Sequence, residues 1–191
     1  MKKFFLILLV VSIAVLSTGC LTFEKKEYSW DINPNGSGSG KIVFTNIFSS
    51  GNNEEDYSGE DFVSLINDYV EGTSLEGSNP GMKKIQKRLY IEDGKLCGVI
   101  AFEFDKYSDV GFYRYKGKGP FMFFFNAGDE TFIDSNGELA GENFPVVFWP
   151  EGTKEFKVTT SMGDPEDSGA IMLLDFYKTW EETGELPEIE E

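Results

Sequence analysis

The sequence predicts an α+β fold: a mostly antiparallel β-sheet built from hairpins, with two packed α-helices. Three observations predict it. Apolar and polar residues alternate with period two in several short runs, turn residues rich in Gly, Asn and Asp separate those runs, and two stretches carry helix-start and helix-stop chemistry.

Taken in order, Tyr28, Trp30 and Ile32 alternate with Ser29, Asp31 and Asn33, and Ile42-Val43-Phe44-Thr45 is the expected partner strand across a polar loop at 33–40. Ser58 caps an expected helix with Asp61 three residues on; Phe62, Leu65, Ile66 and Tyr69 share one face, and Gly72 ends it. Asp93-Gly94 suits a type I′ turn between strands Lys83–Glu92 and Lys95–Asp105, because both central positions need positive φ. That turn sets Glu92 against Lys95, Ile91 against Leu96 and Ile85 against Phe102, so Leu89 and Ile91 share a face with Leu96, Ile100 and Phe104. Lys84, Arg88 and Cys97 fall on the other face, where Cys97 is expected to pack as a small apolar residue beside Tyr90.

Phe121-Met122-Phe123-Phe124-Phe125 suits a strand covered on both faces. Thr131-Phe132-Ile133 and Glu138-Leu139 flank Ser135-Asn136-Gly137 as an expected hairpin, and Val146–Trp149 and Glu155–Val158 flank a turn at Pro150 and Gly152. Asp164-Pro165-Glu166-Asp167 has the cap, first-turn proline and acids of a helix start. The helix expected from it buries Ala170, Leu173, Leu174, Tyr177 and Trp180 and stops at Gly184.

The N-terminus carries an address. Met1-Lys2-Lys3 is basic, Phe4 to Leu16 is apolar, and Ser17-Thr18-Gly19-Cys20 resembles the lipobox of bacterial lipoprotein signals, although the large aliphatic residue stands at Leu16 and Ser17 follows it. Thirteen residues rise only about 20 Å as a helix, short of the roughly 30 Å hydrocarbon core, so a cleaved signal fits better than a membrane span. The resemblance implies cleavage before Cys20, acylation of that cysteine, and anchoring to a membrane of the bacterial cell envelope with the domain on the extracytoplasmic side. The expected organisation is a signal peptide at 1–19, a lipidated tether at 20–27, one α+β domain at 28–184 and an acidic tail at 185–191.

Removing Lys2 and Lys3 from the 17 bases leaves 15 against 33 acids in the mature chain, a formal net charge of −18. Phosphate backbones are repelled by such a surface, which argues against nucleic acid as a partner. The charge is uneven, since residues 83–118 hold nine bases and five acids. Inside that basic middle, Tyr113, Arg114, Tyr115, Lys116 and Lys118 interleave rings with cations. They form the candidate binding segment for an envelope protein, a glycan or a lipid head group, weighed against an ordinary strand with its charges in water.

Catalytic chemistry is narrowed by composition. With no histidine in the chain, serine–histidine and cysteine–histidine triads and histidine-ligated zinc are out of reach, and no phosphate-cradling loop is present. Asp31, Asn33, Asn35 and Gly36 match the opening of a calcium loop, but its closing position is Ile42, so no metal site and no cofactor are expected. The leading expectation is a non-enzymatic binding or structural module, with a small carboxylate-dependent envelope hydrolase as the alternative. A signal cysteine followed by an alternating strand, an Asn/Gly turn and a second strand, over residues 20–48, resembles the start of LppM-type bacterial lipoprotein domains. That resemblance implies an α+β envelope domain and no particular ligand.

Overall fold

The computed structural model describes residues 21–50, 56–125, 130–141, 144–167 and 169–189. The expected signal peptide at 1–19, the expected acylation site Cys20 and the end of the expected acidic tail, 190–191, lie outside the described residues. The fold is α+β, with two antiparallel sheets and three α-helical segments among the described residues.

The first hairpin joins β1 (Leu21–Ile32) to β2 (Gly38–Ser50), with Tyr28 opposite Ile42 and Trp30 opposite Gly40. It is longer than the alternation predicts at both ends. Residues 21–27, expected as a tether, are strand, so the sheet starts at the residue after Cys20. At the other end Gly38 and Gly40 belong to β2 rather than to a loop. A Cβ at Gly40 would stand 2.3 Å from the Phe102 ring, so the glycine makes room for an aromatic layer.

The second hairpin, β3 (Lys83–Glu92) and β4 (Lys95–Phe104), has the expected turn, with Asp93 and Gly94 at φ 51° and 74°. Glu92 faces Lys95 and Ile91 faces Leu96 as expected. The pairing of Ile85 with Phe102 is displaced, because the register shifts between Lys83 and Gln86 where Lys84 takes φ 51°.

Four further strands build a separate small sheet, in the order β5 (Phe112–Tyr113), β6 (Phe121–Phe124), β9 (Phe144–Trp149), β8 (Glu138–Gly141). β7 (Thr131–Ser135) and β10 (Glu155–Ser161) join the large sheet, whose order is β3-β4-β2-β1-β10-β7. Neither of the two later hairpins expected from sequence forms: β7 pairs with β10 and β8 with β9, so each turn passes the chain from one sheet to the other. Asn136 stitches that crossing. Its Oδ1 accepts from Trp149 Nε1 and from the Lys157 amide, both at 2.8 Å.

One face of the large sheet carries both cores. Alternation along β4 places Leu96, Ile100, Phe102 and Phe104 on the same side. The distal half of that face, with Trp30, Phe102 and Phe156, packs on Phe112, Phe123, Val147 and Trp149 of the small sheet. The other half, with Ile47, Leu89 and Leu96, packs on Phe62, Leu65, Ile66, Leu173 and Tyr177 of the helices. The expectation of a doubly covered 121–125 strand is therefore corrected: Phe121, Phe123 and Phe125 are buried, while Phe124 is 64 % exposed.

The expected helix from Ser58 is α1 (Ser58–Ser64), continued by a π-helical segment Leu65–Val70. Ser58 does not supply the cap. Asp56 Oδ1 accepts from the Ser58 amide at 2.9 Å, and Asp61 is buried with its Oδ2 taking the Ser49 hydroxyl at 2.5 Å. A short α2 (Ser74–Ser78) follows. The second expected helix starts later than its cap chemistry indicates. Pro165–Asp167 make one 3₁₀ turn capped by Asp164, Ala170–Met172 form β11 against β2, and α3 (Leu174–Thr183) then runs to Gly184 at φ 74°. The tail also departs from expectation at its start, since Leu186 packs against the helical core.

Candidate functional site: a cleft between helices and sheet

The segment expected to bind is divided by the structure. Tyr113 ends β5, and Tyr113, Tyr115, Lys116 and Lys118 are exposed, whereas Arg114 turns inward. Its guanidinium lies 4.4 Å from the Phe121 ring centroid, donates twice to the Gly119 carbonyl at 2.9 and 3.1 Å, and meets Glu151 at 2.9 Å. Arg114 thus closes the loop it belongs to, and its planar fork suits that task better than an outward contact would. Lys116, in a left-handed conformation, lies over the Tyr115 ring at 5.2 Å.

A concavity lies elsewhere among the described residues, between the helical layer and the sheet. It encloses about 670 Å³, within the size range of small-molecule sites. Leu21, Phe23, Phe44 and Ile47 of β1 and β2 form its floor, and Leu65, Val70 and Leu75 form its roof. The π-helical turn shapes that roof: the Glu71 amide donates to the Ile66 carbonyl at 2.8 Å, and Tyr69 is left exposed at the lining instead of joining Phe62, Leu65 and Ile66 in the core. An extra residue in a helix of this kind commonly marks a functional position.

The rim is acidic on the helical side. Glu60, Ser64 and Asp68 recur at four-residue spacing along it, and the Ser64 hydroxyl donates to Asp68 at 2.7 Å. Opposite them, Lys87 is committed to the protein, donating to the Gly72 carbonyl at 2.6 Å and pairing with Glu76 at 3.0 Å. That lysine contact holds the Glu76 carboxyl below the usual glutamate range. Lys87 therefore ties the chain after the π turn to β3 and fixes the width of the cleft. The arrangement suits an apolar body that keeps a polar end at the Glu60–Asp68 rim.

Beside the floor sits a buried ion pair whose lysine falls in the expected tether. Lys26 Nζ meets Glu130 at 2.8 Å and lies 4.7, 5.4 and 5.6 Å from the ring centroids of Tyr28, Phe23 and Phe44. Glu130 also accepts from the Thr160 hydroxyl at 2.6 Å and the Tyr28 hydroxyl at 3.4 Å. Burial, then the Glu130 charge, pushes the Tyr28 hydroxyl far above the usual tyrosine range, so Tyr28 serves there as a donor. The signal for this pair was present: Lys26 is in phase with Tyr28, Trp30 and Ile32.

Cys97 is buried beside Tyr90, as expected. Asn33, Asn35 and Ser37 bond to one another in the first hairpin turn, and the described residues hold no cluster of metal-ligating side chains. No family model, curated protein or solved structure matches the chain.

Proposed function

We propose that the protein is a bacterial envelope lipoprotein, anchored through Cys20, that acts as a non-enzymatic binding module and takes an apolar small molecule into the cleft between its helices and its sheet. The observation that carries this reading is the position of the cleft: its floor includes Leu21, Thr22 and Phe23, the residues that follow the signal cysteine. A ligand held there lies beside the anchor point, in a site with an apolar floor and one polar rim.

Two measurements test the two halves separately. Wild-type protein should incorporate labelled palmitate and Cys20→Ala should not; a wild-type chain without label overturns the anchor. Native mass spectrometry of protein purified from its own envelope should detect a co-purifying apolar molecule. Val70→Trp, which fills the roof of the cleft at a half-buried position, should lose that molecule while keeping its circular dichroism spectrum. Retention of the molecule by Val70→Trp would move the site elsewhere.

A further inference from the structure

Part of the cleft is built by the residues that follow Cys20. Leu21, the next residue in the chain, lies in its lining with Thr22 and Phe23. All three are strand, paired with Ser49, Phe48 and Ile47 of β2, and Ser49 and Phe48 are held from the other side by Ile171 and Met172 of β11. Consecutive Cα atoms across a trans peptide stand about 3.8 Å apart, so Cys20 is tied one residue from the cleft with no spacer to carry it away.

The lining suits a hydrocarbon chain that brings no charge of its own. Ile47, Leu65, Val70, Leu75 and Leu89 give it aliphatic walls. Its charged groups are Glu60, Asp61 and Asp68 against Lys87 and Arg88. Lys87 is committed to the Gly72 carbonyl and to Glu76, and Arg88 is drawn over the Tyr90 ring, 5.0 Å from its centroid. A free fatty acid or an anionic phospholipid carries a carboxylate or a phosphate toward those acids. An acyl chain joined to Cys20 through an amide or an ester ends instead in a neutral bond, and it enters from the side of Leu21.

We infer that the cleft is the docking site of an acyl chain carried by Cys20: the chain folds back under the π-helical roof when the protein is out of a bilayer, and leaves for the lipid on insertion. This rests on the anchored reading of Cys20 and deepens the reading of the cleft, since the small molecule of that reading then enters only a membrane-inserted protein. In water, every methylene withdrawn into the cleft favours the docked state, and covalent attachment beside Leu21 supplies a high effective concentration. In a bilayer, lipid tails are as apolar as the leucines of the lining, so that advantage disappears.

The test uses acylated protein from cells fed a palmitate analogue that carries a diazirine, purified, freed of detergent and irradiated either in buffer or after insertion into phosphatidylcholine vesicles. In buffer, peptide mapping should place the acyl cross-link within the same molecule, on Phe44, Ile47 or the roof residues Leu65, Val70 and Leu75. In vesicles that product should give way to lipid adducts. Val70→Trp and Leu75→Trp, which narrow the cleft at two half-buried positions, should each lose the cross-link in buffer while taking up as much analogue and keeping the circular dichroism spectrum. Wild-type cross-links that form only between molecules, or that scatter over the surface, would overturn the inference. So would a cleft cross-link that persists in vesicles or in both variants. A wild-type chain that takes up no analogue removes the anchored reading itself, whereas one that takes it up and cross-links outside the cleft leaves the anchor standing and removes this inference alone.

Discussion

Lys26 stands in phase with Tyr28, Trp30 and Ile32, and that phase puts an ammonium group on the apolar face of β1, where Glu130 neutralises it. A buried pair costs desolvation of both ions, so its removal in one piece differs from breaking it. Lys26→Met leaves Glu130 buried against Tyr28 and Thr160 without its cation and should cost about 3–5 kcal/mol, read from the urea midpoint. Lys26→Met combined with Glu130→Gln should recover most of that loss, since the uncompensated charge is gone. Cys97 supports a second expectation at this scale. With its thiol fully buried, it should react with a thiol reagent in Cys20→Ala protein only on unfolding. Such residue-level detail was legible where one strand decided it: Cys97 was placed correctly from the Asp93-Gly94 register alone. Arg114 was not, because a guanidinium stacked on Phe121 and one pointing to solvent have the same local pattern.

β2 shows how an element can be recognised and still be misjudged in extent. It pairs with β4 as far as Phe44 and with β11 from Phe48 onward, and between them Asn46 adopts φ 56° with its side-chain amide donating to Glu24 at 2.9 Å. Asn tolerates the left-handed conformation better than other non-glycine residues, which lets the strand change partner without breaking. Asn46→Val removes that tolerance and the hydrogen bond together. It should destabilise by about 1–3 kcal/mol, read by urea denaturation. Asn46→Gly keeps the conformation and should cost less. The same pairing explains the late start of the last helix. Asp164-Pro165 is a true cap signal, and Gly184 a true stop, but Ala170–Met172 follow a partner about 120 residues earlier in the chain, and no window of local periodicity contains β2. Hairpins closed by a two-residue type I′ turn were legible because one local conformation fixes their register. Those expected at Asn136 and Pro150 were not, since a turn sequence does not say to which sheet the next strand returns.

Over the whole molecule, both cores lie on one face of the large sheet, and the cleft opens on its helical half, lined by Phe44 and Ile47, which flank the bend at Asn46. The fold class was legible from alternation, whereas the cleft was not, because Leu21 and Phe23 of its floor were read as tether and its roof depends on a π turn. Electrostatics act at this scale in two opposed ways. The formal charge of −16 makes the compact state self-repelling at neutral pH, so moderate salt should raise the urea midpoint there. Against that repulsion stand individual carboxylates whose charged form the fold prefers. Lys95, donating to Glu24, and Ser58, donating to Asp56, hold those carboxyls below their ordinary ranges, as Lys87 does for Glu76. A carboxyl depressed in the folded state stabilises fully above its unfolded value, 4.5 for Glu24 and Glu76 and 3.8 for Asp56, and that contribution is lost as pH falls through the folded value. Relief of repulsion comes first as the exposed acids begin to protonate, and loss of the paired carboxylates follows at lower pH. The urea midpoint should therefore hold or rise from neutral pH toward about pH 5 and fall below about pH 4.5. Glu24→Gln should lower stability at neutral pH and flatten the acid limb, because its side chain no longer takes up a proton on unfolding. An acid limb equally steep in that variant would show that Lys95 and Asn46 do not hold the Glu24 charge in the folded state.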